Sequence, residues 1–295
     1  MSEMNFTHKP VLLKEVLELL PVISGGYYMD GTIGLGGHAE ALLEAAPESS
    51  VIGFDRDPEM LTAAMKRLER FGGRVKGVNA NFTEAGRVLK EQGIGGLSGA
   101  LLDLGVSSLH YDKASRGFSI KLDGPLDMRL DPGNPLTAAE IVNYWPFDQL
   151  AENFRKCGER NAARIASAIV RRRADKFFTS TSELGQFIAE NVPYSPSRIH
   201  PATKVFLALR ITVNGELDNA EKGIAAVSAA LVPGGRLAVI TFHSLEDRLV
   251  KNCFARLTVD GSFKAVTHKA VRPGPEEVEG NPRARSAQLR VIERI

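Results

Sequence analysis

The sequence predicts an α/β protein: a doubly wound, mostly parallel sheet, closed by a C-terminal antiparallel hairpin and carrying an inserted helical domain. Three observations predict it. Short runs that end in an acid, at Asp30, Asp55 and Asp103, alternate with helical patterns, which is the rhythm of repeated strand–helix units. Glycines at 31, 34, 36 and 37 join the first run to the helix after it. The rhythm stops near Tyr111 and resumes near His200. Residues 1–110 and 200–295 are therefore expected as one discontinuous domain, and residues 111–199 as the insertion.

Composition narrows the class. A chain of 295 residues can hold one large or two ordinary domains. Apolar residues at 43% and charged residues at 24% are average for a globular protein. With a net charge of only +2, any nucleic-acid surface must be local. Cys157 and Cys253 are isolated, with neither metal-ligand spacing nor a disulfide framework, which suits a reducing cytoplasm. The N-terminal residues lack the basic and apolar regions of a signal peptide, and no apolar run reaches membrane-spanning length, so no membrane partner is expected.

The first helix is expected over Pro10–Leu20, with Val11, Leu12, Val16, Leu19 and Leu20 as its apolar stripe. Pro10 suits a first turn, and His8 before it reads as a surface or capping residue. Tyr27 to Ala39 reads as strand, tight loop and helix N-terminus, the helix running from Ala39 to Ala46. Glycine in such a loop permits positive φ, and the helix start offers free N–H donors. Ser50–Asp55 is a buried strand, and Asp57-Pro58 caps a helix to about Phe71. A strand from Val75 to about Phe82, a helix from Thr83 and a strand Gly99–Asp103 follow. Ligands of parallel sheets sit beyond the carboxyl ends of strands. Gly34, Gly36, Gly37, Asp55, Phe82 and Asp103 all fall there.

The stretch Tyr111 to Asn134 is rich in Gly, Asp, Arg and Pro, yet Phe118, Leu126 and Met128 are available to pack, so an ordered loop is expected. Helices are expected over Thr137–Val142, Asp148 to about Cys157, Asn161–Arg173 and Ser182–Asn191. Arg155, Lys156, Arg160, Arg164, Arg171, Arg172, Arg173 and Lys176 concentrate positive charge, opposite a buried face of Ile165, Ala166, Ile169 and Val170. That outward face is expected to contact phosphate rather than to be an ordinary solvated face; Trp145 is read as a core residue, with stacking on a base as its other reading. His200 to Arg210 is expected to return the chain to the sheet. A helix from about Glu216 to Leu231, a turn at Val232–Arg236 and a strand Leu237–His243 come next. Ser244 is expected to cap a helix. Phe263–Val271 and Ala287–Ile295 alternate as a hairpin, with a mobile Arg272–Arg285 between them.

Two cofactors compete for the glycine loop. Gly34-x-Gly36-x-x-Ala39 fits the dinucleotide fingerprint, with Asp55 about 20 residues on, where the ribose acid belongs. Asp30 points the other way. A pyrophosphate is repelled by a carboxylate beside its cradle, whereas the ammonium and sulfonium of S-adenosylmethionine are attracted to one.

The motifs Asp30-Gly-Thr-x-Gly-x-Gly-Gly-His38, Asp103-Leu-Gly-Val-Ser-Ser108, Arg116-Gly-Phe-Ser119, Gly124-Pro-Leu-Asp-Met-Arg129, His200-Pro-Ala-Thr203, Phe242-His-Ser-Leu-Glu-Asp-Arg248 and Asn281-Pro-Arg-Ala-Arg-Ser286 resemble the bacterial RsmH (MraW) family. The resemblance spans nearly the whole chain. It implies a Rossmann-like class I S-adenosylmethionine-dependent methyltransferase that methylates N4 of a cytosine in the decoding region of 16S ribosomal RNA. The partner would be that RNA or the small ribosomal subunit, and a homodimer is compatible with the sequence. It also implies cofactor contacts at Gly36, Gly37, His38, Asp55, Phe82, Asp103 and His110. At the last, a histidine replaces the family's usual amide side chain, in Ser108-Leu-His-Tyr-Asp112. The implied transfer needs neither a metal nor a covalent intermediate. It does need an acceptor for the amine hydrogens. Asp103 is the first candidate, followed by Ser107 and His243; His243 reads equally as a strand-end hydrogen-bonding residue. Two rival readings are a dinucleotide-dependent oxidoreductase and a non-catalytic RNA-binding assembly factor.

Overall fold

The computed structural model describes residues 9–21, 23–193 and 199–295, so His8 lies outside them. The chain forms two compact units: Met1–Gly105 with Leu217–Ile295, and Val106–Glu216. The boundaries differ from the expected 110/111 and 199/200. The helix Thr203–Asn214 does not return to the sheet. It packs through Val205, Phe206 and Leu209 into the core of the second unit.

The first unit is a seven-stranded sheet. Its strands are β1 (Tyr27–Asp30), β2 (Ser50–Asp55), β3 (Val75–Asn79), β4 (Leu97–Asp103), β5 (Leu231–Thr241), β6 (Phe263–Ala265) and β7 (Gln288–Arg294). Their spatial order is β3-β2-β1-β4-β5-β7-β6. The first five run parallel, and β7 lies antiparallel to both β5 and β6. β3 stops at Asn79, short of the expected Phe82, which begins a short 3-10 turn.

The central strands are apolar throughout because both faces are covered. Alternate residues serve opposite cores. Met29, Ile52, Phe54, Leu102 and Val239 join one core with Val88, Ile224, Val227 and Val250 from helices. Tyr28, Val51, Leu101, Ala238 and Ile240 join the other with Val16, Leu42, Leu43 and Leu68. The period-2 alternation of a strand thus produces two helical layers rather than one wet face.

The stretch expected to be mobile is ordered. It contains a helix, Pro275–Gly280, and a 3-10 turn, Pro282–Ser286, with Ala284 fully buried. It grips the start of the chain. The Leu12 N–H donates to Glu277 Oε1 at 2.7 Å, and Asn281 Nδ2 donates to the Lys9 carbonyl at 3.3 Å. Leu12 takes a left-handed conformation there, so the first helix starts at Leu13 rather than Pro10.

In the second unit the helices Ala138–Tyr144, Phe147–Lys156, Ala162–Arg173, Thr181–Asn191 and Thr203–Asn214 enclose Ile141, Leu150, Phe154, Ile165, Ile169 and Leu184. Phe118, Leu126 and Met128 of the preceding loop are buried in the same core. Met128 has a φ of 62°, strained for a side chain of its size. Asn214 holds it, donating to the Met128 carbonyl at 2.8 Å and accepting from Leu130 N–H at 2.8 Å. Arg210, almost fully buried, pairs with Glu216 and donates to the Tyr111 hydroxyl at 2.9 Å. These bonds tie the last helix to the loop and set the unit's far edge at Glu216. Among the described residues, no helix is long and apolar enough to cross a membrane.

Candidate active site

β1 and β4 are neighbours, but β2 follows β1 on one side and β5 follows β4 on the other. A crevice opens beyond the strand ends at such a reversal. Each strand delivers an acid to it: Asp30 ends β1 and Asp103 ends β4.

Asp30 is 1% exposed, and its Oδ1 accepts from the Thr32 N–H at 3.2 Å. Burial pushes its carboxyl up to about 7, against the Thr32 hydrogen bond and with help from the charge of Asp55. Asp103 is only partly buried as a residue, yet its Oδ1 is enclosed and has no hydrogen-bond partner among the described residues. Burial, then Asp30, then Glu246 raise its carboxyl well above the usual range. Every charge that shifts Asp103 is therefore negative. Glu246, at 1% exposed, completes a group of three acids. Acids held together out of water are costly unless a cation joins them.

Beside the acids runs the glycine loop. Gly34 and Gly36 have φ of +52° and +78°, a region that L side chains rarely enter. Four bonds fix the loop: Gly31 N–H to the Leu101 carbonyl (2.9 Å), Asp103 N–H to Thr32 Oγ1 (2.7 Å), Ile33 N–H to the Phe54 carbonyl (2.9 Å) and Gly34 N–H to Asp55 Oδ2 (2.9 Å). Gly36 is the N-cap of the helix Gly37–Ala45.

Asp55 has structural partners of its own. Its Oδ2 holds Gly34 and its Oδ1 accepts from the Asp57 N–H at 2.9 Å, so it shapes both the loop and the turn after β2. Gly37 and His38 back onto the chain's start. A Cβ on Gly37 would come within 2.5 Å of Pro10 Cγ, and His38, buried, places Nε2 2.9 Å from the Val11 carbonyl. Phe82 is a wall: a Cβ on Gly223 would fall 2.2 Å from its ring, so the ring packs on the helix Glu216–Ala229.

His243, not Ser244, caps the helix Ser244–Val259. Its Nδ1 accepts from the Glu246 N–H at 3.3 Å, and its Nε2 lies 3.2 Å from Glu246 Oε1. Glu246 Oε2 accepts from the Phe242 and His243 N–H groups. Both ring nitrogens are thus turned to Glu246. Ser107 and His110 belong to the second unit. Ser107 Oγ accepts from the Leu109 N–H at 3.4 Å, and His110 is buried with its ring 5.3 Å from that of Phe118. Burial pushes the Cys157 thiol up to about 11, which removes it as a nucleophile at neutral pH.

Sequence reasoning missed part of the acid group. Asp30 served only to choose between cofactors, and Glu246 only as an acid in a helix's first turn. The available signals were Asp30 at the end of a buried run and the His243-x-x-Glu246 spacing of a capping box.

A parallel sheet with antiparallel β7 between β5 and β6, and an acid-lined glycine loop at its reversal, define a Rossmann-like class I methyltransferase. The chain belongs to the MraW methylase family, whose model matches residues 5–295. S-adenosylmethionine, expected from the loop, is the cofactor of this class. Ribosomal RNA small subunit methyltransferase H of Carboxydothermus hydrogenoformans is 47% identical, over 99% of this chain and 99% of its own. The protein of that name from Geobacter sulfurreducens is 47% identical over 99% and 100%. Among solved structures, an rRNA methylase from Streptococcus thermophilus aligns with 96% of this chain and 93% of its own, at 11% identity and a TM-score of 0.45.

Proposed function

We propose that this chain transfers a methyl group from S-adenosylmethionine to N4 of a cytosine in small-subunit ribosomal RNA. The observation that carries the cofactor half is the group of Asp30, Asp103 and Glu246, in which every charge shifting Asp103 is negative. Such a group suits a cationic ligand and repels a pyrophosphate, which disfavours the dinucleotide reading. The RNA half rests on the names of the relatives and on the motif resemblance.

S-adenosylmethionine supplies a methyl group already activated on a sulfonium. The chain's residues must bind, orient and exclude water. The backbone at Gly34–Gly37 gives close approach. Asp55, at the end of β2, takes the ribose hydroxyls. Asp103, through its enclosed Oδ1, either anchors the ammonium or accepts a hydrogen from the reacting amine. His243 acts as a positioning residue, since its ring is committed to Glu246. The inserted unit, Val106–Glu216, carries the RNA contacts, and Ser107 and His110 at its start serve the substrate or cofactor.

The test is methyl transfer from labelled cofactor to small-subunit RNA, followed by mass spectrometry of its nucleosides. N4-methylated cytidine is the expected product. Label on another atom would leave a methyltransferase with a different target. No label, despite tight RNA binding, would favour the assembly-factor reading.

A further inference from the structure

Among the described residues, the second unit exposes the aromatic rings of Tyr144, Phe147 and Phe177, and two of them form a pair. Tyr144 is 61% exposed and Phe177 46%, yet their rings meet edge to face, 5.2 Å apart at 67°. Isolated exposed apolar residues are ordinary, but a paired set held on rigid backbone is not. Phe178, next to Phe177, is clamped by Asn143, which donates to its carbonyl and accepts from its N–H, both at 2.9 Å. The Thr179 N–H donates to Glu183 at 3.0 Å, and Ser180 bridges to Pro125. On the other side, Arg173 donates to the Val142 and Trp145 carbonyls at 2.8 and 2.7 Å, fixing the helix end that carries Tyr144. Both rings are thus presented, not loose.

Beside them lies an open pocket of about 370 Å³, lined by Pro125, Asp127, Thr137, Asn143, Phe177 and Thr179 among others. That volume suits a small flat ligand with a few polar contacts. The segment that leads into Phe177 is basic. Residues 155–176 hold eight basic groups against two acids, and Arg155, Arg160, Arg164, Arg171 and Lys176 are exposed. Lys176 directly precedes Phe177. A polyanion with flat faces matches this chemistry; an apolar protein patch does not.

We propose that Phe177 and Tyr144, with the adjoining pocket, form a stacking site for an unpaired base of the RNA substrate. The proposal rests on the RNA reading above and adds a subsite to it. Aromatic rings take any base, so the site supplies grip rather than sequence choice.

The test uses the full chain and a fluorescent single-stranded fragment of small-subunit RNA around the methylated cytosine. Phe177→Ala and Tyr144→Ala should each weaken RNA binding about tenfold. S-adenosylhomocysteine affinity and melting temperature should stay at wild-type values. Phe177→Trp should restore binding and Phe177→Leu should not, because leucine fills space without stacking. RNA affinities within twofold of wild type for both alanine variants, in a wild type that methylates RNA, would overturn the subsite alone. So would equal rescue by leucine and tryptophan, or a loss seen only with assembled subunits, which would point to a protein contact. A wild type that transfers no methyl group to RNA would instead overturn the proposed function.

Discussion

At the scale of single residues, the acids at the strand ends set a pH dependence. Asp30 titrates near 7 in the folded chain, against 3.8 for its ordinary value. The folded state therefore binds more protons than the unfolded state between those limits, and ligand-free stability falls as pH rises from about 4 to 7. The full penalty is roughly 4 kcal/mol. Asp30→Asn should flatten this slope and raise the melting temperature above pH 7, while weakening S-adenosylmethionine binding. Denaturant titrations across pH check it, and an unchanged slope would remove Asp30 as its source. Asp103→Asn separates two roles. If the carboxylate serves the reacting amine, kcat falls more than cofactor affinity; if it anchors the ammonium, calorimetry shows the larger loss. If Asp55 holds the ribose as proposed, Asp55→Ala should cost more than those contacts alone, each about 1.5–3 kcal/mol. It also frees Gly34, so S-adenosylhomocysteine affinity and loop protection from hydrogen exchange should fall together.

At the scale of elements, the helix Ala162–Arg173 is not a uniform basic face. Arg172 pairs with Glu183 and lies over the Phe178 ring at 4.9 Å. Arg173 caps the neighbouring helix, and burial lowers its guanidinium below the ordinary value. Arg155, Arg164 and Arg171 remain exposed. Reversing these three to glutamate should weaken RNA binding and flatten its salt dependence at unchanged stability. Reversing Arg172 and Arg173 should instead lower the melting temperature, because it leaves the Val142 and Trp145 carbonyls without the Arg173 donor and sets a like charge beside Glu183. Equal melting curves for the two sets would refute this division. Charge spacing showed that the helix is basic, but whether an arginine meets water or a carbonyl depends on which helix packs beside it. For the same reason Val205–Leu209 is legible as an apolar helix while the core it joins is not. The strands ending at Asp30, Asp55 and Asp103 were legible because their apolar runs, acids and glycines are all local. Arg272–Arg285 looked mobile from its prolines, glycines and glutamates. Its order comes from Glu277 and Asn281 gripping residues more than 260 positions away.

At the scale of the whole molecule, cofactor binding and stability should be coupled through the acid group. A ligand at 100 times its Kd adds about 2.7 kcal/mol to stability. For S-adenosylmethionine this gain should grow from pH 6 to pH 8, as the acids lose protons that a cation would otherwise displace. Calorimetry in buffers of different ionisation enthalpy should show proton release on binding near pH 6. Equal gains at both pH values and no proton release would mean that the acids are already ionised or do not meet the cofactor. The link between Leu12 and Glu277 has a consequence for synthesis on the ribosome. The glycine loop leans on Pro10 and Val11, but the Glu277 that clasps the neighbouring Leu12 is translated 265 residues later. β7, which fills the gap between β5 and β6, emerges later still. A nascent chain can form β1 to β4 in order, but it cannot close this clasp behind the glycine loop until Glu277 has left the exit tunnel.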